Sequence, residues 1–148
     1  MAPINQISQK YNFYQIPMDS NEILRARKRL GKTQKQMSIL LGNSLKAIIS
    51  YEQGWRSIPP YIERQVFFLI SRTPDNLKAL KTCWKILKCP IKLRHQCPAW
   101  EYGAGEFCWF INGTICAGYV QKNWKEKMAL CRSCEVMLPL LQYIGSEI

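Results

Sequence analysis

The residues of this chain best suited to chemistry are its seven cysteines, all of which lie after residue 80. Two of them, Cys131 and Cys134, form a Cys-x-x-Cys pair, which can place two thiolates on one metal centre from a single turn of the chain. Further ligands from elsewhere would then close long loops and stiffen the fold. The remaining cysteines are spread through the segment before this pair: Cys83, Cys89, Cys97, Cys108 and Cys116.

Three interpretations of these cysteines compete. The odd count and a reducing compartment, expected below, both disfavour structural disulfides. A structural zinc site usually uses two close pairs of ligands, whereas this chain has one such pair and a single histidine, His95. An iron–sulfur cluster accepts more scattered cysteines, including cysteines followed by proline. The pattern therefore favours an iron–sulfur cluster of the 4Fe–4S type, with zinc as the alternative.

Four cysteines are predicted as ligands, because two form the close pair and two lie in turns flanked by proline or glycine, where backbone amides can point at sulfur. They are Cys97, Cys116, Cys131 and Cys134. Cys89 is the main rival for a ligand position. Cys83 and Cys108, each followed by tryptophan, are further candidates that also fit the role of packed thiols, since unpaired cysteine is among the most buried residue types.

Two short helices are predicted between Thr33 and Glu52. Thr33 can cap the first, with Gln36 three residues later completing a capping box. Gly42 ends that helix, and Ser44 can cap the second. Apolar residues at helical spacing give the two inner faces: Met37, Leu40, Leu41, Ala47, Ile48 and Tyr51.

This segment resembles the lambda-repressor-like, Cro-type helix-turn-helix family, also called the XRE family. The matching pattern runs over residues 23–59. Its members are Arg27, Gly31, Thr33, Gln34, Met37, Ser38, Gly42, Ser44, Ile48, Tyr51, Glu52, Gly54 and Arg56. Two residues depart from the family pattern: Lys32 replaces a usually apolar residue, and Ile49 replaces a usually polar one.

The resemblance implies roles for several of these positions. Gln34 would contact the DNA backbone, and a partly buried ion pair would join Arg27 to Glu52. Arg56, which closes the matching pattern, is assigned to phosphate or to bracing the turn. The residues that would face the DNA groove are Ser44, Leu45, Lys46 and Ser50.

The wider pattern predicts three parts: a polar arm over residues 1–18, a helix-turn-helix domain over 19–78 and a cysteine-rich module over 79–148. The second part is expected to be an all-α bundle of four to five helices, including helices over 21–30 and 61–71. Residues 74–84 are predicted as a short helical connector. The third part is expected to be small, loop-rich and stabilised by metal, because such units build little core.

The C-terminal segment carries two further expectations. From Cys97-Pro98 to Cys134 it resembles a cysteine–tryptophan-rich module found in proteins of anaerobic bacteria, where it is sometimes appended to sensory or regulatory domains. Residues 131–144 are predicted to form a helix. Its apolar side chains are Val136, Leu138, Leu140, Leu141 and Ile144, and the last four are a plausible dimer contact or a cover for the cysteine module.

The charge of the chain favours an anionic partner. Net charge is +11, and residues 1–78 carry 12 Lys or Arg against 5 Asp or Glu, compared with 9 against 5 in the remainder. Such an excess favours binding to phosphates. The sequence shows no signal peptide and no apolar run of the roughly 20 residues that a membrane span needs. We therefore expect a cytoplasmic protein without a membrane partner.

Together these features predict a sequence-specific transcriptional regulator that binds a palindromic site on double-stranded DNA as a homodimer. The cysteine module would be its sensor, with an iron–sulfur cluster. The alternative is a DNA-binding regulator whose module is a structural zinc site or a unit for dimerisation or partner binding. An enzyme is not expected, because the chain has one histidine and no phosphate-binding glycine loop.

Overall fold

The computed structural model describes residues 18–116 and 118–146. Within these residues the fold is mostly helical, with ten α-helices and one two-stranded sheet. The predicted polar arm, residues 1–18, lies outside the described residues except for Met18. That side chain is buried in the core.

Five helices form the N-terminal part of the described chain: α1 Ser20–Arg29, α2 Gln34–Leu41, α3 Leu45–Glu52, α4 Pro60–Ser71 and α5 Pro74–Ala79. The prediction that this part is all-α is confirmed. The observed α1 and α4 begin one residue before the predicted starts. No strand occurs between Ile23 and Ser50.

The predicted caps of α2 and α3 are confirmed, so local sequence explains where these helices begin and end. Thr33 Oγ1 accepts from the Gln36 amide, and the Gln36 side chain accepts from the Thr33 amide. Gly42 ends α2 with a φ of 62°, a left-handed conformation that favours glycine. Ser44 then caps α3 by accepting from the Ala47 amide at 3.0 Å.

The C-terminal part consists of short elements: α6 Cys83–Ile86, α7 Ile91–Arg94, α8 Pro98–Glu101, a 3-10 turn Cys108–Phe110, β1 Ile115–Cys116, β2 Tyr119–Val120, α9 Trp124–Cys131 and α10 Leu138–Gly145. The two strands pair antiparallel, with Ile115 opposite Val120 and Cys116 opposite Tyr119. Long connecting segments between these elements match the loop-rich expectation.

The connector over residues 74–84 is not one continuous helix, so that prediction is wrong. Helix α5 ends at Ala79, and Leu80 adopts an extended conformation with ψ of 134°. A new short helix begins only at Cys83. A break of this kind interrupts the backbone hydrogen bonds that would have made the connector a rigid rod.

The prediction of a single helix over residues 131–144 is also wrong. Helix α9 ends at Cys131, and α10 begins at Leu138, with Pro139 in its first turn. Proline lacks an amide proton and clashes with the carbonyl four residues earlier, so it is tolerated at the start of a helix and not in its interior. Pro139 therefore sets where α10 can begin.

One apolar core spans both parts of the chain. The Phe67 ring on α4 meets Trp109 edge-on, with 6.0 Å between the ring centroids. Helix α10 packs against α1 and α4. Its side chains Leu140, Leu141 and Ile144 are buried in this core, so the predicted role of these three in a dimer contact is wrong. The predicted units 19–78 and 79–148 thus share their interior.

A buried charge network lies inside this shared core. The Arg132 guanidinium, at the end of α9, donates to both carboxylate oxygens of Glu22 at 2.6 and 3.0 Å. It also donates to Glu63 at 2.9 Å. Glu63 accepts a further hydrogen bond from the Trp124 indole at 3.2 Å. These bonds join side chains of α1, α4 and the α9 terminus. They are shielded from water, because Arg132 and Glu63 are both only 1% exposed.

We expect Arg132→Met to destabilise the protein by about 3–5 kcal/mol, because it leaves two buried carboxylates without their cation. The measurement is urea unfolding at neutral pH, with wild type and variant in the same metal state. Ser133→Ala, an exposed change at the next position, is the control and should cost little. A loss below about 1 kcal/mol for Arg132→Met would contradict the assigned role.

Candidate nucleic-acid interface and cysteine cavity

Helices α2 and α3 turn one face into the core and the other toward solvent. Ala47, Ile48 and Tyr51 bury the inner face of α3, while Met37 and Leu41 bury that of α2. These five agree with the sequence prediction. Leu40, predicted to lie inside as well, is 44% exposed. The prediction is wrong there because a helix of two turns buries only a narrow stripe, which Met37 and Leu41 fill.

Most residues predicted to face DNA lie on the outer face of α3 or just after it. Ser44, Leu45 and Lys46 are exposed at the start of α3, and Arg56 is exposed in the following loop. Ser50 is half-buried, and its hydroxyl donates to the Lys46 carbonyl at 2.8 Å. The Ser44 oxygen accepts the capping bond of α3, which leaves its hydroxyl proton available to an anion.

Gln34 and the predicted ion pair form one polar cluster. Arg27 Nε donates to Glu52 at 2.6 Å, so the predicted contact between these side chains is confirmed. Gln34 Nε2 donates to the other carboxylate oxygen at 2.7 Å. Arg27 also donates to the Lys32 carbonyl at 2.9 Å. Glu52 therefore fastens α3 to α1 and to the start of α2.

The charge around α2 and α3 has one sign. Residues 31–58 contain four cations and a single carboxylate, Glu52. That carboxylate is already engaged by Arg27 and Gln34 and is 3% exposed. The surface charge of this segment is therefore positive. It comes from four exposed cations: Lys32, Lys35, Lys46 and Arg56.

Two exposed apolar side chains near this face were missed by the sequence analysis. Ile39 on α2 is 73% exposed, and Trp55 in the loop after α3 is 76% exposed. The Trp55 amide donates to the Ser50 carbonyl at 2.9 Å, which folds the loop back against α3. An aromatic residue beside Gly54 in a turn, where no core is within reach, was the signal available in the sequence.

Five cysteines line one cavity in the C-terminal part of the chain. Its volume is about 380 Å³, open solvent at its mouth included, and its lining contains Trp84, Trp100 and Arg94. The cysteines that line it are Cys83, Cys89, Cys97, Cys108 and Cys116. Gly105 packs directly against Trp84 in the cavity lining. A Cβ added at this position would lie 2.5 Å from the Trp84 ring, so only glycine fits there.

The four predicted ligands fall into two groups. Cys97 and Cys116 line the cavity, and the Ile115 amide donates to the Cys97 sulfur at 3.4 Å. Cys131 and Cys134 do not line it, although both thiols interact electrostatically with Cys116. The rivals Cys89, Cys83 and Cys108 do line it. Within residues 18–116 and 118–146, no three His, Cys, Asp or Glu side chains form a group that could hold a metal ion.

The thiols differ in acidity because they differ in burial and hydrogen bonding. A hydrogen bond from Cys108 lowers the pKa of Cys83 to about 7, against the opposing effect of burial. The same bond, together with burial, raises the pKa of Cys108. Burial raises the pKa of Cys131 to about 12 and also raises the pKa values of Cys134 and Cys89.

We expect Glu52→Ala to lower the free energy of unfolding by about 1–4 kcal/mol, because it leaves Arg27 partly buried without its carboxylate. Chemical denaturation followed by circular dichroism measures the change. Gln53→Ala, at the exposed next position, is the matched control. Equal effects of the two substitutions would show that the ion pair contributes nothing specific.

Comparison with known proteins adds no relative to this description. The chain matches no family model, no curated protein and no solved structure. Among the described residues, no helix combines the length and the apolar character needed to cross a membrane.

Proposed function

We propose that the chain is a sequence-specific DNA-binding protein that regulates transcription, with α3 as the helix that reads DNA. The observation that carries this proposal is the outer face of α3. Leu45 and Lys46 stand exposed in its first turn, while its inner face is held in the core. A helix presented in this way can enter the major groove, where each base pair offers a distinct pattern of donors and acceptors.

The side chains of α3 suit different contacts. Lys46 can donate to the O6 and N7 acceptors of guanine, and Leu45 can meet a thymine methyl group. Ser44 can donate its hydroxyl proton to a phosphate or a base. Arg56 and Gln34 are assigned to the DNA backbone, which positions a protein without carrying sequence information. Gln34 Nε2 has a second proton besides the one given to Glu52.

The positive charge of this face supports the same proposal. The four exposed cations would neutralise phosphates and release counterions, which supplies affinity for any sequence, and the single carboxylate does not oppose them because Arg27 and Gln34 already engage it. Proteins with this motif commonly bind as dimers to half-sites about one helical turn apart. We therefore propose a homodimer on a palindromic operator, and a role in binding with no catalytic step.

We expect Lys46→Ala to weaken binding to its selected site by about 1–3 kcal/mol and to relax base preference at one position of each half-site. The probe is a duplex selected from a random library by the wild-type protein. Gln34→Ala should instead weaken binding to selected and random duplexes alike. Titrations are run at one salt concentration, because the phosphate contribution depends strongly on salt.

Lys125→Ala is the control for charge loss, because Lys125 is exposed on α9 and outside this face. It should lower affinity slightly and leave base preference unchanged. An identical, sequence-independent loss for Lys46→Ala and Gln34→Ala would contradict the proposed division of roles. A selection that enriches no sequence would contradict specific binding itself.

We further propose that the cysteine module holds an iron–sulfur cluster and acts as a sensor. Five thiols line one cavity and an amide is directed at the Cys97 sulfur, which suits thiolate ligation of a cluster once the thiols draw closer together than they stand here. The cavity cysteines would hold it, with Cys131 and Cys134 beside them. Such a group supplies redox chemistry that responds to oxygen or to iron supply. A zinc site with a purely structural role is the competing proposal.

The shared core offers a route from the cysteines to α1. Arg132 lies between Cys131 and Cys134 in the sequence, and its guanidinium bonds Glu22 on α1. Helix α1 also carries Arg27, which holds α3 through Glu52. A change at the Cys131–Cys134 turn can therefore alter the packing of α1 and, through it, the setting of α3.

We expect metal-loaded and metal-free protein to differ in affinity for the selected duplex by roughly 5- to 100-fold, the usual size of an allosteric coupling. Affinity for random duplex should change much less, since it depends on surface cations. A Cys97→Ala, Cys116→Ala double variant, which removes two predicted ligands that line the cavity, should behave as the metal-free protein does. Equal affinities of the metal-loaded protein, the metal-free protein and the double variant would favour the structural zinc or partner-binding alternative. Metal analysis after anaerobic purification distinguishes a site that holds iron and sulfide from one that holds zinc.

A further inference from the structure

A lysine is buried next to the cysteines. Lys127 lies on α9 and is 1% exposed. Its ammonium group donates to the Thr114 hydroxyl at 2.6 Å. Thr114 in turn accepts a weaker hydrogen bond from the Cys116 thiol at 3.7 Å. The charged end of Lys127 is thus directed to the residue that precedes β1, the strand that carries the cavity cysteine Cys116.

The charge of Lys127 is not balanced by a carboxylate. In the described part of the chain, the ion pairs within 4.0 Å involve Arg27 and Arg132. Taking an ammonium ion out of water costs several kcal/mol unless an anion and hydrogen bonds compensate it. The neutral Thr114 hydroxyl and the protonated Cys131 thiol are poor compensation. The contrast with Arg132, which is equally buried and meets two carboxylates, makes Lys127 the unexplained cation of the core.

Two thiols that can become negatively charged interact with Lys127. Its ammonium interacts electrostatically with Cys131 and Cys83, and it also forms a side-chain hydrogen bond with Cys131. Metal binding removes the proton of a cysteine ligand and leaves a thiolate. Four thiolates bring more negative charge to an iron–sulfur core than that core can neutralise, so the assembled cluster is anionic.

We propose that Lys127 is the countercharge for an anionic, thiolate-bound iron–sulfur cluster in the cysteine cavity. This inference rests on the sensor assigned to that cavity under the proposed function. Lys127 is a positioning residue that stabilises the bound cluster through its charge, and Thr114 fixes the direction of the ammonium group. Because net charge near a cluster sets its reduction potential, the same lysine raises that potential and favours the reduced form.

The test compares the effect of one substitution on metal-free and on iron-loaded protein. A countercharge should matter only with iron bound, whereas a purely structural lysine should matter equally in both. Lys127→Met removes the charge and keeps most of the side-chain volume. In metal-free protein it should leave the melting temperature unchanged or raise it, because it removes a buried, uncompensated cation. In protein reconstituted anaerobically with ferrous iron and sulfide, it should release iron to a chelator about 10- to 100-fold faster, the loss typical of removing a partner around a metal site.

Two variants accompany this substitution. Lys125→Met makes the same change at an exposed position of α9 and should alter neither measurement. Lys127→Arg keeps the charge and should retain iron more strongly than Lys127→Met does. The reduction potential of the reconstituted cluster should fall in Lys127→Met and stay near the wild-type value in Lys127→Arg.

Three results would overturn the inference: equal destabilisation of the metal-free and reconstituted protein by Lys127→Met, wild-type iron retention in that variant, or a wild-type chain that takes up zinc and no iron. Duplex binding by the same preparations separates this inference from the wider proposal. A protein that holds iron through Lys127 and selects no DNA sequence would contradict the regulator alone. A protein that selects DNA and holds iron without needing Lys127 would contradict the countercharge alone.

Discussion

The interaction on which the rest of the structure depends is the buried contact of Arg132 with Glu22 and Glu63. A guanidinium removed from water is tolerated only with good geometry and near-complete hydrogen bonding. Here it meets two carboxylates, one of them through paired bonds, and Glu63 is further satisfied by the Trp124 indole. These demands fix the relative positions of α1, α4 and the end of α9. The short elements around the cysteines can then remain irregular, because their neighbours are already anchored.

This anchoring connects the two candidate sites. Arg132 directly follows Cys131, and Glu22 lies five residues before Arg27 on the same helix. The Arg27–Glu52 pair continues the chain of buried charges to α3, whose outer face is the candidate DNA interface. The extended break at Leu80 makes the covalent connector a poor transmitter between the sites. Coupling through the core is therefore the better physical route, because packed charges have few alternative arrangements.

The sequence was sufficient where structure is determined locally and insufficient where it depends on distant partners. The caps at Thr33 and Ser44 and the turn at Gly42 follow from residues three or four positions apart, and each was predicted. The contact between Arg27 and Glu52 came from a family resemblance. The bond between Glu22 and Arg132 joins residues 110 positions apart, and no local pattern marks it. The gathering of five cysteines around one cavity is of the same kind, since the spacing singled out only Cys97 and Cys116 of these five as predicted ligands.

The two buried cations show how such a fold can respond to its surroundings. Arg132 carries its anions within the protein, so its contribution to stability is present in every metal state. On the proposal made above, Lys127 finds its anion only when thiolates are assembled around iron, so its contribution changes sign with the state of the cavity. The two cations lie five residues apart in the sequence, and Cys131 is between them, directly before Arg132. A change in charge at Lys127 therefore acts on the same helix end that holds α1 and α4 in place. That proximity gives the proposed sensor a physical means of affecting the DNA-binding face without a flexible linker.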